Sequence, residues 1–191
     1  MELKKESLLL YLVTDRENLK RLSLENAVEQ AIMGGVTIVQ FREKHLRGDE
    51  YISAATKCRD VCRRFGVPFI INDSPDMARR LNADGVHLGQ NDAPVSYARK
   101  VLGEDKIIGI SAHTVDEAVR AEQNGANYLG VGAVFGSATK QNTAPMTTEL
   151  LKSISESVRI PVVAIGGIDE TNASLLKGCN VSGLAVVSAI R

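Results

Sequence analysis

The chain has no tryptophan, and only four tyrosines and four phenylalanines among its 191 residues. Aromatic stacking on single-stranded nucleic acid therefore has little to draw on. Neither sign of charge is in excess: Lys and Arg total 23, and Asp and Glu total 23. Such balance argues against a general nucleic-acid or membrane-binding surface, so any anion site must be local. No apolar run is long enough to span a bilayer. The opening Met1-Glu2-Leu3-Lys4-Lys5-Glu6 is too acidic for a secretory signal. Three cysteines do not make a paired disulfide framework, and suit a reducing cytoplasm. Cys58 and Cys62 share a face of an expected helix, but no second pair or nearby histidine completes a zinc set. Packing is the better reading of that pair.

What is present is a regular alternation. Short apolar runs read as strands at Leu8–Val13, Val36–Val39, Pro68–Ile71, Gly85–Leu88, Ile107–Ile110, Tyr128–Val131, Pro161–Ile165 and Leu184–Val187. Between them lie helical patterns with recognisable starts. Ser23 and Thr114 can act as N-caps, the latter with Glu117 completing a capping box, while Pro75 and Pro94 suit first turns. Further helices are expected from Asp49 to Phe65, about Thr147 to Ser157, and Thr171 to Leu176. Eight strands alternating with seven helices predict a single (β/α)8 TIM barrel over residues 1–191, with its final helix short or missing. A doubly wound open sheet fits less well, because no Gly-rich first turn is present. The flank without its helix implies either that the chain stops short of it or that a neighbouring subunit, in a homo-oligomer, covers it.

In such barrels ligands bind at the carboxyl ends of the strands. The second strand runs into Gln40-Phe41-Arg42-Glu43-Lys44, where two cations two residues apart can approach one anion; a solvated charge run is the bland alternative. The third and fourth strands lead to Asp73 and Asp92, each beside an amide, Asn72 and Asn91. Two hard oxygen donors on adjacent loops suit Mg²⁺, although each Asp also suits a turn or helix cap. The sixth strand opens a long polar segment with Ser137, Thr139 and Lys140, either a phosphate loop or an ordinary polar one. Gly166-Gly167 lets backbone N–H groups reach an anion, and Ser188 follows the last strand. Two anion sites on one rim suggest two phosphorylated small-molecule substrates. His87 reads as a packed, hydrogen-bonded residue, His45 as solvated, and His113 as a rim residue able to titrate near neutral pH.

Several of these stretches together resemble the thiamine-phosphate synthase (thiamine-phosphate pyrophosphorylase) family. They are Tyr11-Leu12-Val13-Thr14-Asp15, Gln40 to Lys44, Ile71-Asn72-Asp73, Gly85-Val86-His87-Leu88-Gly89-Gln90, Gly109 to Thr114, Thr139-Lys140, Ile165-Gly166-Gly167-Ile168 and Val187-Ser188-Ala189-Ile190. The resemblance implies a transferase of thiamine biosynthesis that joins hydroxymethylpyrimidine diphosphate to a thiazole phosphate, giving thiamine phosphate and diphosphate. It implies that Gln40, Arg42, Lys44 and Asn72, with Phe41 and Glu43 in the same stretch, meet the pyrimidine diphosphate, and that Ser111 lies near the pyrimidine. It further implies Mg²⁺ on Asp73 and Asp92. Ser137, Thr139, Gly167, Val187 and Ser188 are implied to hold the thiazole phosphate, and Lys140 to reach the diphosphate. Two departures stand out: Gly136-Ser137 replaces the family's usual Pro-Thr, and the family's final helix beyond Ile190 is absent.

A diphosphate leaving a benzylic-type carbon on an electron-rich aminopyrimidine suggests a dissociative reaction. Arg42, Lys44, Lys140 and Mg²⁺ would then stabilise the leaving charge. A related thiazole tautomerase, using a histidine placed like His113, would not need the Arg42, Lys44, Asp73 and Asp92 set. A non-catalytic barrel that binds thiamine precursors is the third reading.

Overall fold

Eight parallel strands close into a barrel in chain order, with β8 pairing back onto β1. This computed structural model describes residues 3–19, 22–136 and 146–187. The strands are β1 (Leu10–Val13), β2 (Ile38–Phe41), β3 (Phe69–Asn72), β4 (Gly85–Leu88), β5 (Ile107–Ala112), β6 (Tyr128–Gly132), β7 (Val162–Ile165) and β8 (Gly183–Val186). The helices are α1 (Leu24–Met33), α2 (Gly48–Phe65), α3 (Pro75–Arg80), α4 (Val95–Leu102), α5 (Val115–Gln123) and α6 (Thr148–Glu156). This is the (β/α)8 fold that the alternation predicts. Among the described residues no helix is long and apolar enough to cross a membrane.

Alternation along each strand divides the apolar residues into two layers. Inward positions such as Ile38, Ile70, Ile107 and Val163 fill the barrel, and Leu8 sits among them. Outward positions such as Val39, Phe41, Ile71 and Leu129 meet the helices, whose buried faces include Val28, Ala55, Ala98 and Leu151. Cys58 and Cys62 belong to this outer layer and are buried. Burial pushes both thiols up, that of Cys62 to about 12, so they are protonated packing groups at neutral pH.

Three differences from expectation bear on the site. Strand β2 starts at Ile38 rather than Val36, because Thr37 first bonds through its hydroxyl to the backbone of Leu10. Its ladder extends through Gln40 and Phe41, paired with Ile70 and Ile71. Likewise β5 continues to Ala112, which brings Ser111 into the sheet. Between β7 and β8 the chain forms only a 3₁₀ turn at Ala173–Leu176 in place of the expected helix. There the Asp169 carboxylate accepts from the Thr171 and Asn172 N–H groups and the Thr171 hydroxyl, a cap-like turn that leads into the 3₁₀ segment.

Candidate active site

Thr14, just past β1, is buried and holds the backbone of Arg42 from both sides. Its hydroxyl accepts from Arg42 N–H at 2.9 Å and donates to Arg42 C=O at 3.2 Å. Its own N–H donates to the Gln40 carbonyl at 3.0 Å. Farther out, Arg16 Nε meets Glu43 Oε2 at 3.3 Å and Glu17 meets His45 at 3.0 Å. The Arg47 guanidinium donates to the carbonyls of Lys44 and Leu46. This segment is thus fixed along its backbone, while among the described residues the Arg42 guanidinium and Lys44 ammonium have no hydrogen bond or ion pair. Two cations on a fixed strand end are an arrangement able to receive a polyanion.

The neighbours in that stretch are placed differently from the expectation that all five meet substrate. Gln40 points into the barrel, so Phe41 must point out. Its ring packs edge-on to Tyr51 of α2 at 5.2 Å and against Phe69, away from the rim. The Glu43 side chain is only 2% exposed and turns toward the loop after β1. Its Oε1 is buried without a hydrogen-bond partner among the described residues, and burial raises its pKa against the opposing pull of Arg16. Phe41 and Glu43 therefore support the receptor rather than present side chains to it.

Inside the mouth lies a buried polar chain. Gln40 Nε2 donates to the Tyr11 hydroxyl at 2.9 Å, and the Tyr11 and Tyr128 hydroxyls are 2.6 Å apart. Tyr128 is 2.9 Å from His87 Nδ1, and His87 Nε2 is 3.0 Å from Ser111 Oγ. His87 is therefore the packed, hydrogen-bonded residue expected of it. Tyr11 stands in a stretch that carries the family resemblance, but neither it nor Tyr128 is a candidate site residue from sequence, although both occupy inward register positions. Gln90 reaches across from the loop after β4 to the Ser111 carbonyl at 2.7 Å.

Asn72 ends β3, and Asp73 follows with φ +67°, its N–H bonded to the His87 carbonyl at 2.8 Å. Burial first, then the nearby Asp73 and Glu43 charges, push the Tyr51 phenol up to about 12. Asp92 uses one oxygen to close its own turn, accepting from Gly89 N–H at 2.6 Å. Among the described residues no group of three or more His, Cys, Asp and Glu side chains is placed to hold a metal. Two carboxylates after neighbouring strands do not make an all-protein cage, but they fit Mg²⁺, which takes one or two carboxylates and completes its shell with water and phosphate oxygens.

Among the described residues, the opposite side of the rim is built from backbone. Gly166 and Gly167 take φ +109° and +63°, and Phe135 N–H bonds to the Gly166 carbonyl. A Cβ on Gly167 would stand 2.8 Å from the Gly136 carbonyl oxygen and 2.9 Å from that of Phe135. Only glycine lets these two loops pack so closely. Gly136 takes φ +79°, a conformation closed to the proline usual in the resembling family. Val187 follows β8 and packs on the inner layer. Ser137, Thr139, Lys140 and Ser188 lie outside the described residues. His113, on the rim after β5, is tied to Glu117, whose carboxylate accepts from its N–H at 2.7 Å and lies 3.2 Å from its Nδ1.

A family model described as thiamine monophosphate synthase matches residues 10–190. The chain belongs to that family. It is 50% identical over 181 residues to a thiamine-phosphate synthase of Clostridium acetobutylicum, covering 95% of this chain and 86% of the relative. To that of Clostridium tetani it is 46% identical over 181 residues, with 95% and 87% covered. Among solved structures, thiamine phosphate pyrophosphorylase from Pyrococcus furiosus superposes with a TM-score of 0.87 at 37% identity, covering 97% of this chain and 88% of that one. The strand ends that carry the rim chemistry here all fall within the matched span.

Proposed function

We propose that this chain is a thiamine-phosphate synthase: it condenses hydroxymethylpyrimidine diphosphate with a thiazole phosphate, forming thiamine phosphate and releasing diphosphate. The observation that carries the reading is Arg42 and Lys44, without a hydrogen bond or ion pair among the described residues, on a backbone clamped by Thr14, in a chain of zero formal net charge. A localised cationic receptor in a neutral protein suits a leaving diphosphate. Family membership supplies the two substrates.

In this reading the reaction is dissociative. The C–O bond to diphosphate breaks with its electron pair going to the leaving group, and the thiazole nitrogen adds to the pyrimidine-bearing carbon. No nucleophile or strong base is required of the protein. Arg42 and Lys44, joined by Lys140, stabilise the charge that grows on the diphosphate. Asn72 and Ser111 orient the pyrimidine end, and Gly167 with Ser137, Thr139, Val187 and Ser188 holds the thiazole phosphate. Asp73 and Asp92 would hold Mg²⁺, which when bound neutralises diphosphate charge. The three buried free thiols suit a reducing cytoplasm. The partners are small molecules, not nucleic acid or membrane, and the chain associates as a homo-oligomer.

Purified protein given both precursors and Mg²⁺ should form thiamine phosphate and diphosphate, lose activity to a chelator and regain it with Mg²⁺. Interconversion of thiazole carboxylate isomers without either product would favour the tautomerase reading with His113. Binding of both precursors without turnover would favour a non-catalytic barrel.

A further inference from the structure

The buried chain from Gln40 to Ser111 has a direction that proton counting determines. A hydroxyl proton buried without an acceptor is costly. The Tyr11 oxygen has two hydrogen-bond partners among the described residues, Gln40 Nε2 and Tyr128 Oη. The amide nitrogen can only donate, so the Tyr11 proton must go to Tyr128. Tyr128 Oη, now an acceptor, sends its own proton to its other partner, His87 Nδ1. A ring nitrogen that accepts carries no hydrogen, so the His87 proton stands on Nε2 and is donated to Ser111 Oγ. Ser111 then accepts from the protein and keeps its own O–H for something else.

We infer that Tyr11, Tyr128 and His87 are positioning residues, a one-way hydrogen-bond relay that holds His87 as its neutral Nε2–H tautomer and presents Ser111 as a donor to a ring nitrogen of the bound aminopyrimidine. The substrate half of this inference rests on the proposed function; the tautomer half does not. Two glycines provide the space. A Cβ on Gly109 would run into the Tyr128 ring, and one on Gly130 would stand 3.0 Å from His87 Cε1. Burial keeps both phenols protonated, raising the Tyr11 pKa to about 12 and moving that of Tyr128 the same way. With both hydroxyls protonated, the relay carries direction without carrying charge.

The test is ¹⁵N NMR on histidine-labelled protein near neutral pH, with His87 assigned by the signal lost in His87→Gln. The relay requires a pyrrole-type Nε2 and a pyridine-type Nδ1. Gln40→Glu replaces the amide donor with an acceptor, so the whole chain should reverse and the proton should move to Nδ1. A merely structural chain would not move it. A proton on Nδ1, or on both nitrogens, in the unmodified protein overturns the inference, as does an unchanged tautomer in folded Gln40→Glu. Should Gln40→Glu fail to fold, Tyr128→Phe serves instead, because it removes the donor to His87 Nδ1 while keeping the ring that packs at Gly109. It should give a mixture of His87 tautomers and weaken pyrimidine diphosphate binding about 2- to 12-fold, the worth of one neutral hydrogen bond, with thiazole phosphate binding unchanged. A single unchanged tautomer in Tyr128→Phe contradicts the relay. If the unmodified protein shows the Nε2–H tautomer but binds no pyrimidine diphosphate, the proposed function and the substrate half fail, and the tautomer half stands. If it turns over with the proton on Nδ1, only the relay fails.

Discussion

The two sides of the rim are built from different materials. From β1 to β5 the site is made of side chains, held by hydrogen bonds that cross from strand to strand: Thr14 to Arg42, Gln40 to Tyr11, His87 to Ser111. From β6 to β8 its described part is backbone, with Gly166 and Gly167 in conformations that other residues rarely adopt. In the proposed reaction the first side faces a diphosphate whose charge changes as it leaves. The second faces a phosphate whose charge stays constant. Charged side chains on a fixed backbone stabilise a transition state, whereas backbone N–H groups hold a ground state and a transition state alike.

The division can be sharpened by substitution. The largest effect is expected from Arg42→Ala. Removing one preorganised charge partner costs about 2.7–4 kcal/mol, or roughly 10²–10³ in kcat. Next, Gly167→Ala forces a Cβ toward the Gly136 and Phe135 carbonyls at φ +63°. A strain of about 1–3 kcal/mol should raise the KM for thiazole phosphate about tenfold or more, with kcat at saturation nearly unchanged. Equal losses of kcat in both variants would erase the comparison.

Thr14→Val tests whether the clamp on Arg42 matters. It leaves a half-buried Arg42 N–H unsatisfied, so transition-state binding read from kcat/KM for pyrimidine diphosphate should weaken by about 1–3 kcal/mol, and Thr14→Ser should restore most of it. The smallest effect concerns Glu43 and reads out as stability. Its folded pKa is raised, so the folded state holds this proton more tightly than the unfolded chain does. The associated stability is present below the ordinary glutamate range and is lost as pH rises through the folded pKa. Thermal melts should therefore show the Tm of Glu43→Gln gaining on the unmodified protein as pH rises above the ordinary glutamate range. A constant difference would mean that Glu43 does not titrate abnormally.

The barrel was legible because its signals are local and repeated: apolar runs of strand length, caps at Ser23 and Thr114, and glycines after helices. The polar strand ends were legible for the same reason. Thr14 was not, because a threonine following an apolar run looks ordinary until the register of β1 against β2 brings it to Arg42. Tyr11 and Tyr128 are 117 positions apart, and no periodicity links them. Phe41 and Glu43 were misplaced by reading a charged stretch as one surface. The pleat sends Gln40 and Phe41 to opposite faces, and burial claims Glu43. The helix expected from Thr171 is only a 3₁₀ turn over Ala173–Leu176, one residue longer than a single turn. Local propensity does not set such a length.

The most direct test of the two-sided account is a single-turnover measurement of Arg42→Ala and Gly167→Ala, each enzyme in excess over pyrimidine diphosphate and saturated with thiazole phosphate. The account predicts that the chemical step slows by roughly 10²–10³ in Arg42→Ala and stays near the unmodified rate in Gly167→Ala. An Arg42→Ala step at the unmodified rate, with only the KM raised, would contradict it. Arg42 would then collect an anion without stabilising its departure.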